Sequence, residues 1–448
     1  MQGEASSVGQ LWFGWNPLWV STAVLIATYA AIMSERLNRA VVALLGAGFL
    51  IAIGLFDQAE ALRGIDWNTI ALLTGMMIIV AVTRKCGVFQ YVAIVAAQWV
   101  KARPAGLMIM LSVVTALFSS LLDNVTTVLL IAPVTLVIAH ELKVPPYPFL
   151  FAEIFASNIG GTATLIGDPP NILIGSLAGL SFNDFIVNLT PIIVIVMLAQ
   201  LAMTHLIWGR RMRAKEEDEA RVMAIHARDR ITDTRLMKQA LAVLTAVVVA
   251  FVFARKLHLE PGSIAMIGAA VLLTLDNLGH PPDRQHLHVT GAFNEVEWIT
   301  IFFFIGLFIV VHAVDVTGLL GILADKLIAA TAGDRTITTL AILWASAVLS
   351  AIVDNIPFVA TMIPLIKAMA PTFGGPDGLL PLWWALSLGA CLGGNGTLIG
   401  ASANLTVAGI AERDGVPFRF VTYLLYAFPM MLVSIAISHI YLYVRYLR

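Results

Sequence analysis

Apolar runs of some 16 to 25 residues recur from one end of the chain to the other, parted by short polar joints, and none alternates polar with apolar positions. A helix needs about 20 apolar residues to cross a ~30 Å hydrocarbon core. The pattern therefore predicts an all-α polytopic membrane protein, and the missing alternation argues against a membrane β-barrel. In the first half the runs predict spans near 18–33, 40–56 and 67–83, then an amphipathic piece over 88–103. Two further runs, 107–122 and 125–139, are parted only by Asp123 and Asn124. Two full crossings cannot turn at a charged two-residue tip and stay satisfied unless the turn lies inside the protein, so 107–140 reads as a re-entrant hairpin. A run interrupted by glycines and polar residues (148–178) and a span over 185–208 complete the half.

The second half repeats this order, with spans at 237–254, 262–278 and 298–314 and an interfacial piece near 318–332. A hairpin (337–370), an interrupted run (381–410) and a last span (420–444) follow. WNTIALLTG at Trp67 aligns with WITIFFFIG at Trp298, and Gly87, Asp123-Asn124 and Pro133 align in the same register with Gly318, Asp354-Asn355 and Pro364. From Gly160 and Gly393 onward the register moves by two residues. Such self-similarity decides architecture before any motif does. The expected division is a first repeat over 1–208, a cytoplasmic linker over 209–236 and a second repeat over 237–448. Each repeat holds five full crossings, a re-entrant hairpin and a broken helix; five is odd, so the second copy is expected to be inverted.

Composition fixes the class. Hydrophobic residues make up 59% and charged residues 12%, with a mean hydropathy of +0.88, against about 25% charged in soluble domains. The net charge of −1 speaks against nucleic acid as a partner. Residues 1–17 carry no Lys or Arg, so no cleavable signal peptide is expected there. Residues 209–238 form the long polar segment, rich in arginine, which the positive-inside rule puts in the cytoplasm. SERLNR (34–39), Arg84-Lys85, Lys101, Arg103 and Lys143 then fall on the same side, while the terminal RYLR falls outside, against the rule.

Candidate chemistry gathers in two stretches, GGTATLIGDPPN from Gly160 to Asn171 and GGNGTLIGASAN from Gly393 to Asn404. Each unsatisfied backbone group in hydrocarbon costs several kcal/mol, so such breaks persist only where they are buried in protein or line a cavity. The candidate solute-binding residues are Asn124, Gly160, Gly161, Thr162, Thr164 and Asn171, with Asn355, Gly393, Gly394, Asn395, Thr397 and Asn404 in the second half. Close helix packing is the other reading of the glycine pairs, but it leaves the recurring Thr and Asn unexplained. Asp123 and Asp354, at the hairpin tips, are candidates for proton or ion coupling, because a buried carboxylate protonates or meets a cation; each is equally a helix N-cap. Asp168 aligns with Ala401 and Glu153 with Leu386, so these two acids lack repeat partners and are candidates for coupling or for an aqueous mouth. His312 reads as a bundle histidine, and Cys86 and Cys391 as small buried hydrophobes that supply no disulfide framework or metal site.

No GxxxxGK[ST] loop occurs, so the chain cannot drive itself with ATP. No nucleophile–base pair or metal cluster suggests an enzyme, and no cofactor is expected. Inverted repeats with broken helices are the signature of secondary transporters.

DNVTTVLLIAP followed by SNIGGTATLIGDPPN resembles the ArsB/NhaD permeases of the ion transporter superfamily, which includes the pigmentation P protein. The resemblance covers nearly the whole chain. It implies an inner (plasma) membrane protein whose hairpins and broken helices move as an elevator against a scaffold. Its tip motif falls on Asp123-Asn124 and Asp354-Asn355, and its broken-helix motif on the two glycine-led stretches. ArsB members export arsenite and antimonite, NhaD members exchange Na⁺ for H⁺, and more distant relatives carry di- and tricarboxylates with Ser-Asn-Thr at both tips. Here the tips read Asp-Asn followed by Val or Ile, and no basic residue lies between Phe149 and Ile207. Both features count against a carboxylate substrate. The expectation is arsenite or antimonite efflux coupled to proton entry, with Na⁺/H⁺ antiport as the alternative and a carboxylate carrier or channel behind them. A separate ATPase subunit is left open as a partner.

Overall fold

A computed structural model describes residues 14–34, 36–278 and 280–448. The signal-peptide expectation for residues 1–17 lies mostly outside them. Every regular element among the described residues is helical. The first half holds α1 (Pro17–Met33), α2 (Arg39–Ala52), α3 (Gln58–Arg63), α4 (Trp67–Lys85), α5 (Val88–Trp99), α6 (Pro104–Leu121), α7 (Asn124–Glu141), α8 (Tyr147–Thr162), α9 (Pro169–Ala178) and α10 (Phe182–Thr204). After α11 (Glu216–Met223) come α12 (Thr234–Val252), α13 (Ala254–Leu257), α14 (Pro261–Asn277), α15 (Pro282–Asn294), α16 (Trp298–Val316) and α17 (Leu319–Ala330). The chain ends with α18 (Arg335–Ile352), α19 (Asn355–Ala368), α20 (Leu380–Gly393), α21 (Ser402–Arg413) and α22 (Phe420–Leu442). Eight helices among the described residues are long and apolar enough to cross a bilayer, and the chain is a polytopic membrane protein. Helices α4 and α16 bury 67% of their apolar windows and stand at the centre, while α12 buries 28% and lies at the rim.

Polar joints start the helices where side-chain caps are available. Asp66 accepts from the amides of Asn68 and Thr69 at the start of α4, and Asp233 caps α12 in the same way. Each such cap contributes about 1 kcal/mol. Leu122 and Asp123 alone separate α6 from α7, and Val353 and Asp354 alone separate α18 from α19. Pro133 and Pro364 sit inside the second arms.

Close contacts recur in pairs across the two halves. A Cβ on Gly75 of α4 would stand 2.6 Å from the Ala265 carbonyl carbon in α14, and one on Gly306 of α16 would stand 2.6 Å from that of Ala43 in α2. Gly160 meets the backbone of Ala116 as Gly393 meets that of Ala347. Small residues let helix backbones approach closely in membranes, where packing takes over from the hydrophobic effect. Helix α9 packs against α19 and α21 against α7, so each hairpin rests on the other half's broken helix.

Three regions differ from the expectation. Helix α2 begins at Arg39 and has 14 residues, about 21 Å at 1.5 Å per residue, where a span over 40–56 was expected to follow a basic loop. Its short length brings Arg39 into the protein. The linker is folded: α11 lies on the base of the first hairpin through Lys143–Asp218 and Arg221–Glu141 pairs, both 3.3 Å, and a 3₁₀ turn at Ala227–Arg230 packs on α5. The polar helices α3 and α15 stand where loops were expected, because hydropathy runs do not mark short polar helices.

The linker pairs hold one end of the bundle, near the start of α8. Arg255 pairs with Asp184 at 2.7 Å beyond the far end of α9, at the opposite end. Both native cysteines are buried, so single reporter cysteines can be read directly. Lys215→Cys and Arg255→Cys are expected to react with an impermeant maleimide from opposite faces of the membrane. Labelling of both from one face would overturn the inverted arrangement.

Candidate functional site

Helix α8 stops at Thr162 because the chain must turn tightly across itself before α9. A Cβ on Gly161 would lie 2.5 Å from the Gly167 carbonyl oxygen, so no side chain fits there. Pro169 and Pro170 restart the helix at positions whose amides have no helical partner. In the second break a 3₁₀ turn, Gly394–Gly396, follows α20, and Gly394 approaches Gly400 in the same way.

The backbone groups freed by the breaks are taken up by side chains. Asn171 Nδ2 donates to the carbonyls of Thr162 (3.0 Å) and Thr164 (2.9 Å), and Asn404 Nδ2 to those of Gly394 (2.8 Å) and Thr397 (2.9 Å). Thr164 Oγ1 donates to Ser120 O at 2.6 Å, and Thr397 Oγ1 likewise to Ala351 O, so each break is bonded to its own hairpin. Thr162 Oγ1 bonds back to Asn158 O within α8.

Between the halves runs a network of buried amides centred on Asn158. Asn124 Nδ2, at the first tip, donates to Asn158 Oδ1 (3.1 Å) and Asp168 Oδ1 (3.2 Å). Asn158 Nδ2 donates to the side-chain oxygens of Asn395 and Asn404, both at 2.9 Å. Asn171 Oδ1 accepts from Ser387 Oγ at 2.6 Å and, weakly, from Cys391 Sγ at 3.6 Å. Cys391 holds the repeat position of Asn158, so it is a member of this network as well as a small buried side chain. Two buried polar atoms are left without a partner here, Asp168 Oδ2 and Asn395 Nδ2.

A cavity of about 30 Å³ lies between the tips, lined by Asp123, Asn124, Asp168, Glu297, Asn355 and Arg39 among others. Of the sequence candidates, Asp123, Asn124, Asp168 and Asn355 meet here; Asp354 lines the adjoining cavity of about 490 Å³ together with Arg39. The glycines Gly160, Gly161, Gly393 and Gly394, the threonines Thr162, Thr164 and Thr397, and Asn171, Asn395 and Asn404 lie behind its wall. Glu153 stands apart: its Oε1 accepts from Thr135 Oγ1, and Oε2 has no partner. Both tip aspartates act as caps. Asp123 accepts from Thr126 N at 3.0 Å and Thr126 Oγ1 at 2.5 Å, and Asp354 Oδ1 from Ile356 N at 3.2 Å. His312, on α16, lines neither cavity at the tips and has Nε2 3.2 Å from Glu60 Oε1.

Sequence reasoning missed Arg39, Asn158, Glu297 and Ser387. Arg39, read from the sequence as part of a polar loop over 34–39, instead reaches the core, where its guanidinium is 2.9 Å from Asp354. Its charge is taken up by that carboxylate.

Residues 29–389 match the citrate transporter family, CitMHS. The chain belongs to this family. Within the same kinship, the uncharacterized transporter Rv2684 of Mycobacterium tuberculosis is 44% identical over 431 residues, covering 95% of this chain and 98% of that protein. The 46 kDa membrane protein of Mycobacterium leprae is 41% identical over 96% of this chain and 99% of its own length. The human P protein is 33% identical over 95% of this chain, which spans 60% of the P protein's length. The YdaH transporter of Alcanivorax borkumensis superposes with a TM-score of 0.59 over 96% of this chain and 98% of that one; at 14% identity the likeness bears on the fold alone. The chain is a membrane transporter. These likenesses carry the kinship with the P protein and stop short of the ArsB/NhaD branch.

The crossing at Gly160 generates a prediction. Its Cβ would stand 2.2 Å from the Ala116 carbonyl oxygen, whereas one on Gly48 would meet nothing within 4 Å. Overpacking costs about 1–3 kcal/mol or more, so Gly160→Ala should lower the melting temperature of the purified protein markedly and Gly48→Ala should not. Equal melting of the two variants would mean that α6 and α8 separate freely.

Proposed function

We propose that this citrate transporter family member is a secondary antiporter that exports a small uncharged trihydroxide, arsenite or antimonite, in exchange for protons. The observation that supports this most is the charge of the central cavity. Asp123, Asp168 and Glu297 line it, and its one cation, Arg39, is committed to Asp354. A citrate anion entering there would face like charges, which costs several kcal/mol in a desolvated site. The small volume, about 30 Å³, argues further against a solute as large as citrate. A neutral solute avoids the repulsion and can use the Asn124 and Asn355 side chains and the free Asp168 acceptor that line the cavity, while a carboxylate there takes up the coupling proton.

Na⁺/H⁺ exchange is the second reading, favoured by three carboxylates around so small a space. In either case alternating access would move the hairpins and broken helices as an elevator past α4 and α16. A separate ATPase subunit would add drive without changing this site. Uptake into everted vesicles, with arsenite, Na⁺ and citrate compared side by side under an imposed pH gradient, tests the proposal. Arsenite accumulation is expected; accumulation of citrate alone would overturn it, and of Na⁺ alone would select the second reading.

Asp123→Asn and Asp168→Asn keep size and hydrogen-bonding reach while removing titration. At least one is expected to abolish accumulation against a gradient while leaving equilibrium binding within a few-fold, about 1 kcal/mol. If both variants pump at the normal rate with unchanged pH dependence, these carboxylates are caps and lining only, and the proton route runs through Glu153 or His312.

A further inference from the structure

The two hairpin tips are related by the repeat, yet their electrostatic surroundings differ. At the second tip, Arg39 Nη1 donates to Asp354 Oδ2 at 2.9 Å and Ser402 Oγ at 3.0 Å, and Nη2 donates to Thr300 Oγ1 at 3.2 Å. Thr300 Oγ1 in turn donates to Glu297 Oε2 at 3.0 Å. The guanidinium also lies 5.1 Å from the ring centroid of Phe303, a favourable cation–π distance. One side chain thus ties the second hairpin, the start of α21 and the central helix α16 together.

At the first tip the surroundings differ. Ser402 corresponds to Pro169, the α4 residues that line the cavity beside Asp123 are Leu73 and Met77, and the residue opening α14, the counterpart of α2, is Pro261, which carries no charge. The Asp123 carboxylate bonds to Thr126 alone, and among the described residues no ion pair reaches Asp123 or Asp168. In this structure one tip carries a tethered cation, and the other is left without one.

We infer that Arg39 is a tethered cation standing where a second coupling ion would sit, so that Asp354 takes no part in ion exchange and one ion site, at Asp123 and Asp168, remains. The inference rests on the chain being an ion-coupled carrier and is independent of which solute it moves. Protonating Asp354 would leave a half-buried guanidinium without its counter-ion, because its other hydrogen-bond partners, Ser402 and Thr300, are neutral. The other titratable groups facing the pair are Asp123, Asp168 and Glu297, across the central cavity. Arg39 is a positioning residue: it holds the second tip on α16 until the hairpin moves.

The test uses the full chain in proteoliposomes with a lumenal pH dye, and arsenite and Na⁺ pulses as probes. Arg39→Gln and Asp354→Asn each leave a charge unpaired and are expected to slow the flux by about tenfold or more. The double variant, with neither charge, is expected to recover to within about threefold of the unmodified protein with the same pH midpoint. A double variant no faster than the slower single, or a midpoint moved by about a unit or more, would show that Asp354 titrates in the cycle and overturn the inference. A second measurement needs no solute: Ile352, exposed beside the tip, is replaced by cysteine and labelled with a water-soluble maleimide. Labelling is expected to quicken in Arg39→Gln and to return to its original rate in the double variant. Unchanged labelling in Arg39→Gln would remove the latch, whichever solute proves to be carried.

Discussion

A helix broken inside a membrane must find partners for its freed backbone groups, and this requirement shapes the centre of the transporter. Each break supplies its own asparagine, Asn171 or Asn404, whose amide group holds two of the freed carbonyls. Each also sends a threonine hydroxyl to the last turn of the neighbouring hairpin arm. Hairpin and break are therefore one bonded unit in each half. Ser119 and Ser350 extend the unit, donating at 2.6 Å to Ser157 O and Ala390 O in the helices that lead into the breaks. Glycine is needed where these backbones cross, because a methyl group would occupy the place of a carbonyl oxygen.

Much of this was legible in the chain because it is local. An Asp-Asn pair between two apolar runs marks a hairpin tip, since the aspartate is both the charge that cannot face lipid and the cap that starts the next helix. Glycine pairs followed by Asp-Pro-Pro mark a break for the same kind of reason. What sequence could not give is which hydrogen bonds the motif residues spend on the fold. Thr164, Thr397, Asn171 and Asn404 read as solute ligands, yet their donors are committed to carbonyls of the breaks and hairpins. Asn158 lay within the quoted motif but reads as an ordinary polar residue in a helix, and the acceptors of its amide group stand 237 and 246 positions away. The one local sign was Cys391 in its repeat position, a departure from symmetry at an otherwise matched place. Arg39 was hidden by a different cause. Hydropathy shows where apolar residues begin, while the depth of that point depends on the length and tilt of α2, which only packing decides.

Symmetry and its loss together account for the character of the site. The backbone devices are duplicated, with glycine, proline, serine and threonine in matching register. Several polar and charged groups inside are not, although the tip aspartates are: Asp168 faces Ala401 across the repeat, Arg39 faces a proline, and Asn158 faces a cysteine. Duplicated scaffolding permits two related packings of the same elements, while unmatched charges make one side of the cavity different from the other.

The Asn158 bonds have a consequence for the making of the protein. Translation and membrane insertion proceed from the N-terminus, so α8 enters the bilayer long before α20 and α21 exist. Until they arrive, the Asn158 amide has no Asn395 or Asn404 to donate to, and α9 has no α19 to rest on. The first half is thus an incomplete intermediate whose polar centre is held open for more than two hundred residues of synthesis. Lipid, water or the insertion machinery must cover it meanwhile, and a stall in the linker would leave a nascent chain exposed to quality control.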